Sequence, residues 1–312
     1  MLLEIDQLVK RYHHKIVVDH LSLKIREGEI MGLLGPNGAG KTTTINMITG
    51  LTKIDQGSIK IFGQNLEKSG KAIKKGIGLV PQDIAIFDDL NAWENIAFFG
   101  GLYGLKGNRL KEKVQWALEF VGLKDHQKQF PKKFSGGMKR RLNIACAIVH
   151  QPKLIIMDEP TVGIDPQSRN HILESVRRLN REGSTILYTS HYMEEVDAIS
   201  SKIAIMDQGR VMAQGTSDEL KKMISSEDRI LLTVSDASYS MMEKIKNLQG
   251  VIDCHGKGKE ITILAKKDSA LIGQISQIIS NMGAEIHSLQ VEKVTLESVF
   301  LTLTGKTLRD RE

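Results

Sequence analysis

Apolar residues recur in two rhythms along this chain of 312 residues, and the rhythm changes near residue 215. Up to that point, strand-like apolar runs (Glu29–Leu34, Gly76–Val80, Leu154–Met157, Thr185–Thr189, Ile203–Met206) alternate with helical segments. Such alternation predicts a mainly parallel sheet with helices on its faces. The opening stretch, "LLEIDQLVKRYHHKIVVDHLSLKIREGEI", alternates apolar and polar residues and predicts short strands in an antiparallel flap.

From Asp218 to about Ser226, charged and polar residues without an apolar period predict a helical connector. Beyond it the pattern predicts strand (Arg229–Val234), helix (about Ser238–Leu248), strand (Val251–His255) and strand (Glu260–Ala265). A helix (Ser269–Met282), a strand (Glu285–Val291) and a terminal helix (Leu296–Leu303) complete it. The order βαββαβ predicts a small ferredoxin-like α+β unit. The chain thus divides into an α/β domain at 1–217, a linker at 218–228 and an accessory domain at 229–312. The final "GKTLRDRE" is expected to be a solvated tail.

Composition narrows the class without naming a function. Hydrophobic residues at 41% and charged ones at 26% fit an ordinary globular protein. Two cysteines, Cys146 and Cys254, argue against a disulfide framework and for a reducing compartment. Neither an N-terminal leader nor an apolar run of roughly 18 residues is present, so no membrane span is expected. A net charge of +6 is explained by dispersed lysines, and no nucleic-acid partner is expected.

The chemistry concentrates in a few stretches. "GPNGAGKTT" (Gly35–Thr43) fits the phosphate-binding pattern G-x-x-x-x-G-K-[ST], with a strand before it and a helix after. Gly35, Gly38 and Gly40 let backbone amides turn toward phosphates, Lys41 supplies a point charge, and Thr42 offers a hydroxyl to magnesium. "LIIMDEP" (Leu154–Pro160) is a buried strand whose carboxyl end delivers Asp158, suited to Mg2+, and Glu159, suited to orienting or deprotonating water. Gln82 after "GIGLVP" and His191 in "SHYMEE" also follow strands, where each is either a surface residue or a γ-phosphate contact. In "FSGGMKRR", a second glycine pair opens a helix-like stretch (Met138–His150), another natural anion site. The cluster Lys132, Lys133, Lys139, Arg140 and Arg141 is read as electrostatic support for it.

Taken together and in this order, these motifs resemble the nucleotide-binding domain of ATP-binding cassette (ABC) proteins over residues 1 to about 215. The resemblance implies that Tyr12 stacks on adenine and that the loop Gly35, Pro36, Asn37, Gly38, Ala39, Gly40, Lys41, Thr42 and Thr43 holds the phosphates of ATP. It implies that Thr42, Gln82 and Asp158 surround Mg2+, that Glu159 is the catalytic base, and that His191, Gln82 and Lys41 share the catalytic work. Ser135, Gly136 and Gly137 would be the signature and Asp165 the D-loop aspartate, both meeting ATP held by a second copy in a head-to-tail dimer. The signature departs from the usual LSGGQ at Phe134 and Met138. The tail "VTLESVFLTLTGK" and the stretch "NAWENIAFFGGLYGL" are similar to ATPases of ABC-2 type drug and antibiotic-resistance exporters. That similarity implies an ATPase subunit with a helical subdomain at about 88–150, serving a separately encoded integral-membrane permease at the inner face of the membrane. A soluble, non-transport ABC ATPase acting on another partner is the alternative. The cargo is not legible, because cargo contacts in such systems lie in membrane helices.

Overall fold

A computed structural model describes residues 1–224, 227–266, 270–292 and 294–305. The chain falls into two units, Met1–Ser217 and Asp218–Gly305.

In the first unit, alternating burial makes β1 (Leu3–Tyr12) and β2 (Lys15–Ile25) an antiparallel pair. At ten and eleven residues they are longer than the short strands the alternation predicts. Register shifts at Ile5/Leu8, Leu8/Lys10 and Lys10/Arg11 explain the difference, because each irregularity breaks the period of two. The fully buried β3 (Ile30–Leu34) leads into α1 (Lys41–Ile48). Then β4 (Gln56–Ile61) and β5 (Gln64–Asn65) complete the flap in the order β2-β1-β4-β5.

After α2 (Leu66–Lys74) and β6 (Ile77–Val80) come three helices, α3 (Ala92–Leu102), α4 (Gly107–Phe120) and α5 (Gly136–Ile148). The start of α3 is set by a capping box: Asn91 accepts from Glu94 N, and Glu94 accepts from Asn91 N. The unit continues with β7 (Leu154–Asp158), α6 (Pro166–Arg181), β8 (Thr185–Ser190), α7 (Met193–Ile199), β9 (Lys202–Asp207) and β10 (Arg210–Gly215).

The second sheet has the order β10-β9-β3-β8-β7-β6 and is parallel except for the edge strand β10, which the apolar runs did not mark. Leu3, Ile5 and Leu23 of the flap, Ile45 and Ile48 of α1, and Leu33, Ile156 and Leu187 of the parallel strands share one core. Burying each such side chain contributes about 2 kcal/mol. Because β3, β8, β7 and β6 are parallel neighbours, their carboxyl ends share one edge of the sheet, where α/β folds bind ligands.

At the boundary, α8 (Ser217–Lys222) is a shorter helix than the connector predicted to Ser226, and residues 225–226 lie outside the described residues. The accessory unit contains β11 (Glu227–Val234), α9 (Tyr239–Lys246), β12 (Val251–Lys257), β13 (Glu260–Lys266), α10 (Ile272–Asn281), β14 (Ile286–Glu292) and α11 (Leu296–Thr304). Its antiparallel sheet, β12-β13-β11-β14, has the split βαβ connectivity of ferredoxin-like folds. Ile230, Leu232, Val234, Ile263, Ile275 and Ile279 lie in its core. β11 begins inside the segment predicted as linker, because Glu227 and Asp228 pair with Lys266 and Ala265 on β13. The predicted start of the second helix at Ser269 and nearly all of the predicted tail, residues 306–312, lie outside the described residues.

Candidate active site

β3 ends in the loop Gly35–Thr43, and α1 begins at Lys41. Gly40 caps α1 with φ 103°, a left-handed backbone that glycine takes without strain. A Cβ there would stand 2.7 Å from Val17 O, so the loop also closes tightly against the flap. The first intrahelical bond runs from Thr44 N to Gly40 O at 2.9 Å, leaving the amides of Lys41, Thr42 and Thr43 ahead of the helix ladder. These amides and the helix dipole make an anion site. Gly35, Ala39 and Gly40 are buried, Pro36 and Thr43 are half-buried, and Asn37, Gly38 and Thr42 are exposed.

Lys41 is only 4% exposed, and its ammonium donates to Gly35 O at 2.8 Å and Pro36 O at 3.2 Å. It also faces Glu159 Oε1 at 3.0 Å, while Glu159 Oε2 meets His191 Nδ1 at 3.0 Å. Burial alone would raise the Glu159 pKa. The hydrogen bond to His191 and the charge and hydrogen bond of Lys41 outweigh it and hold that pKa at about 2. The backbone of Glu159 is left-handed, with φ 45°, and its amide is held by Thr189 through Oγ1 at 2.9 Å and O at 3.2 Å. The Thr189 hydroxyl donates to Asp158 Oδ1 at 2.7 Å. Sequence reasoning missed Thr189; the signal was a polar residue inside the apolar run of β8.

Gln82 is exposed just past β6. Its carbonyl accepts from Arg140 Nη2 at 2.6 Å, and that of Pro81 accepts from Arg140 Nη1 at 2.8 Å. Arg140 is buried on α5, so it clamps the Gln82 backbone instead of adding charge to an exposed anion site. Arg141 likewise donates to Val121 O and Gly122 O, and Lys132 and Lys139 pair with Asp89 and Asp88. The reading of this basic cluster as electrostatic support is corrected for those four residues: carbonyls and carboxylates of the same unit engage them.

Ser135 is the N-cap of α5, and its hydroxyl accepts from Met138 N at 3.2 Å. Gly136 is exposed, and a Cβ there would meet nothing within 4 Å. Gly137 is buried: a Cβ there would fall 2.1 Å from Ser168 Oγ on α6. The first glycine is therefore open to a ligand, whereas the second is required by packing within the chain. Asp165, exposed at the N-cap of α6, accepts from Ser168 N at 2.9 Å, and that bond is the leading cause of its lowered pKa. Tyr12 ends β1, is 43% exposed, and has the Lys10 ammonium 5.3 Å from its ring centroid. Lys10 is fixed by Lys53 O and Asp55 Oδ1, each at 2.9 Å.

The strand edge thus gathers Lys41, Asp158, Glu159 and His191 around one buried ion pair beside an amide-lined cradle. The signature residues Ser135 and Gly136 are exposed at the start of α5, where Gly137 packs on α6. The ABC transporter family profile matches residues 18–162. The linearmycin resistance ATP-binding protein LnrL of Bacillus subtilis (strain 168) is 44% identical over 99% of this chain and 100% of its own length. The daunorubicin/doxorubicin resistance ATP-binding protein DrrA of Streptomyces peucetius is 35% identical over 99% of this chain and 94% of its own length. A solved ATP-binding subunit of an ABC transporter superimposes with a TM-score of 0.66 at 30% identity, covering 72% of this chain and 93% of that one. The chain belongs to the ABC transporter family, as an ATP-binding subunit with ATPase chemistry. No helix among the described residues is long and apolar enough to cross a membrane.

Proposed function

We propose that this chain powers export of a drug, antibiotic or lipid-like substrate through a separately encoded membrane permease, hydrolysing ATP in a head-to-tail dimer. The carrying observation is the constellation Lys41–Glu159–His191 beside the amide cradle, with its lysine and glutamate buried and its histidine half-buried. In this reading Tyr12 stacks on the base, the amides of the Gly35–Thr43 loop hold the phosphates, and Ser135 and Gly136 of the second copy cap the γ-phosphate. Phosphate oxygens compete for Lys41. Once Lys41 turns to them, Glu159 loses one of the two partners that depress its pKa and becomes a better proton acceptor for the attacking water. His191 keeps hold of Oε2 and orients the carboxylate.

The residues present fit Mg2+. Among the described residues no group of three or more His, Cys, Asp and Glu side chains forms a metal cage. Magnesium is typically held through one or two carboxylates plus substrate phosphates and waters; Asp158 would supply the carboxylate, with the Thr42 hydroxyl and the Gln82 amide oxygen beside it. Bound there, the ion would neutralise charge developing on the phosphates.

A permease is expected to dock near α3. Phe87 (46% exposed) and Phe98 (44%) lie with ring centroids 5.0 Å apart, and Leu102 nearby in sequence is 67% exposed. Buried Asn95 fixes this surface by accepting from Phe87 N and donating to Phe87 O and Leu90 O. The accessory unit is assigned to dimer support or regulation, and the chain to the inner face of the membrane. The test is co-purification from membranes with a polytopic partner, together with drug susceptibility after deletion. A chain found wholly away from membranes, with no such partner, would leave the soluble-ATPase alternative standing.

A further inference from the structure

A second buried carboxylate lies behind the first. Glu195 on α7 is 4% exposed; it closes the stretch "SHYMEE", but no role was assigned to it from the sequence. Its Oε2 accepts from Thr161 Oγ1 at 2.7 Å and Tyr188 Oη at 2.8 Å, with Ser190 Oγ at 3.4 Å. Its Oε1 has one cation beside it, Arg169 Nε at 3.2 Å, paired by distance but outside hydrogen-bond geometry. Burial first, and the Glu195 charge next, raise the pKa of Tyr188 well above its ordinary value, so its hydroxyl stays a donor.

The positions of these partners carry the inference. Thr161 lies two residues after Glu159, and Ser190 immediately precedes His191. The Ser190 hydroxyl also accepts from Tyr192 N at 2.9 Å, so the backbone is tied on both sides of His191. The Arg169 guanidinium sits 4.8 Å from the Tyr192 ring centroid, and that ring lies 4.1 Å from the His191 imidazole. Arg169 itself stands one turn after Asp165 on α6, its amide bonded to Asp165 O. One carboxylate therefore gathers the segment after Glu159, the segment bearing His191, and the helix that starts at Asp165.

We propose that Glu195 is a positioning residue for ATP hydrolysis: it sets the His191–Glu159 contact and links that contact to α6. Two short hydroxyl bonds fix Oε2, while Oε1 is held by the Arg169 charge alone, so a displacement of α6 acts on the carboxylate and, through its hydroxyl donors, on both segments. Glu195→Gln keeps the shape and the acceptor oxygen for Thr161 and Tyr188, but turns an amide donor toward Arg169. The inference rests on Glu159 and His191 acting at the γ-phosphate.

The test is steady-state ATPase kinetics on the purified full chain, with nucleotide binding and thermal unfolding measured alongside. Glu195→Gln is expected to lower kcat by about tenfold with the KM for ATP changed less than about twofold, because the cradle is untouched. Thr161→Val and Tyr188→Phe, each removing one donor, are expected to lower kcat by about threefold. Each should add less than its own share on top of Glu195→Gln, as members of one network do. Labelled His191 should show a changed imidazole nitrogen shift in Glu195→Gln but not in a distant surface variant. An unchanged kcat, or losses of kcat, binding and melting temperature in parallel across all three variants, would overturn the proposal and leave the cluster as packing. Glu159→Gln and His191→Ala, assayed in the same series, test the underlying site. If these two hydrolyse normally, the site reading fails whatever Glu195 does.

Discussion

Two glycine-bearing helix starts in the first unit show how the same local device serves opposite ends. At α1 the glycines fold the loop inward: Gly40 lies against Val17 O, Lys41 is buried, and Glu159 reaches into the cradle. At α5 the helix start faces outward, with Ser135 and Gly136 exposed and no acidic residue in the first turn. A complete phosphate site needs a cation and a catalytic carboxylate besides amides. The first loop has both within this chain. The second supplies amides and a hydroxyl, which in the proposed head-to-tail dimer makes it half of a site. Within that half the two glycines differ as well, since Gly136 is open and Gly137 is pressed on Ser168.

The comparison can be broken at several points. Glu159→Gln should lower turnover by about 10³-fold while ATP binding persists and ATP-bound dimers accumulate in size-exclusion runs. Turnover near wild type would remove Glu159 from the chemistry. Gly136→Asp should cut hydrolysis by roughly 100-fold or more, because it aims a negative charge at a phosphate, yet leave equilibrium nucleotide binding by the isolated subunit close to normal. If Gly136→Asp weakens that binding instead, the two loops serve one chain's nucleotide and the half-site idea is wrong.

Gly137→Ala should act mainly on stability. Its Cβ would displace α5 from α6 and lower the unfolding free energy by about 1–3 kcal/mol in denaturant melts. The Lys41–Glu159 pair gives a pH signature on the side of the first loop. Glu159 has its pKa lowered from 4.5 to about 2, so its contribution to stability is present above 4.5 and is lost as pH falls toward 2. The stability gap between wild type and Glu159→Gln, measured without nucleotide, should therefore narrow across that window; a gap that widened would contradict the assigned ionisation. Met138→Gln, which restores an amide at a half-buried position beside the open glycine, should change turnover by about tenfold or less.

Much of the site was legible because its chemistry is local. The loop Gly35–Thr43 must lie between a strand and a helix to work, so its spacing marked it, and the presence of that loop gave meaning to Asp158–Glu159 at the end of a buried strand. Gln82 and His191 could be read only through the resemblance, since each is a single polar residue after a strand. The accessory unit was legible as a βαββαβ order because β11 and β13 keep a burial period of two and turn residues separate its elements. The flap strands were underestimated because bulges interrupt theirs.

The sequence by itself determined the central parallel strands, the order of the accessory unit, the phosphate loop and the carboxylates, all of which depend on neighbours a few residues apart. Tertiary structure decided which groups share a charge. It placed Lys41 against Glu159, buried Arg140 over the Gln82 backbone, assigned Gly137 to packing and Gly136 to the surface, and gathered Thr161, Tyr188 and Arg169 on Glu195. Those outcomes join residues some 7 to 118 positions apart and depend on the strand order β3-β8-β7-β6, which sets distance and burial and with them the strength of every charge interaction.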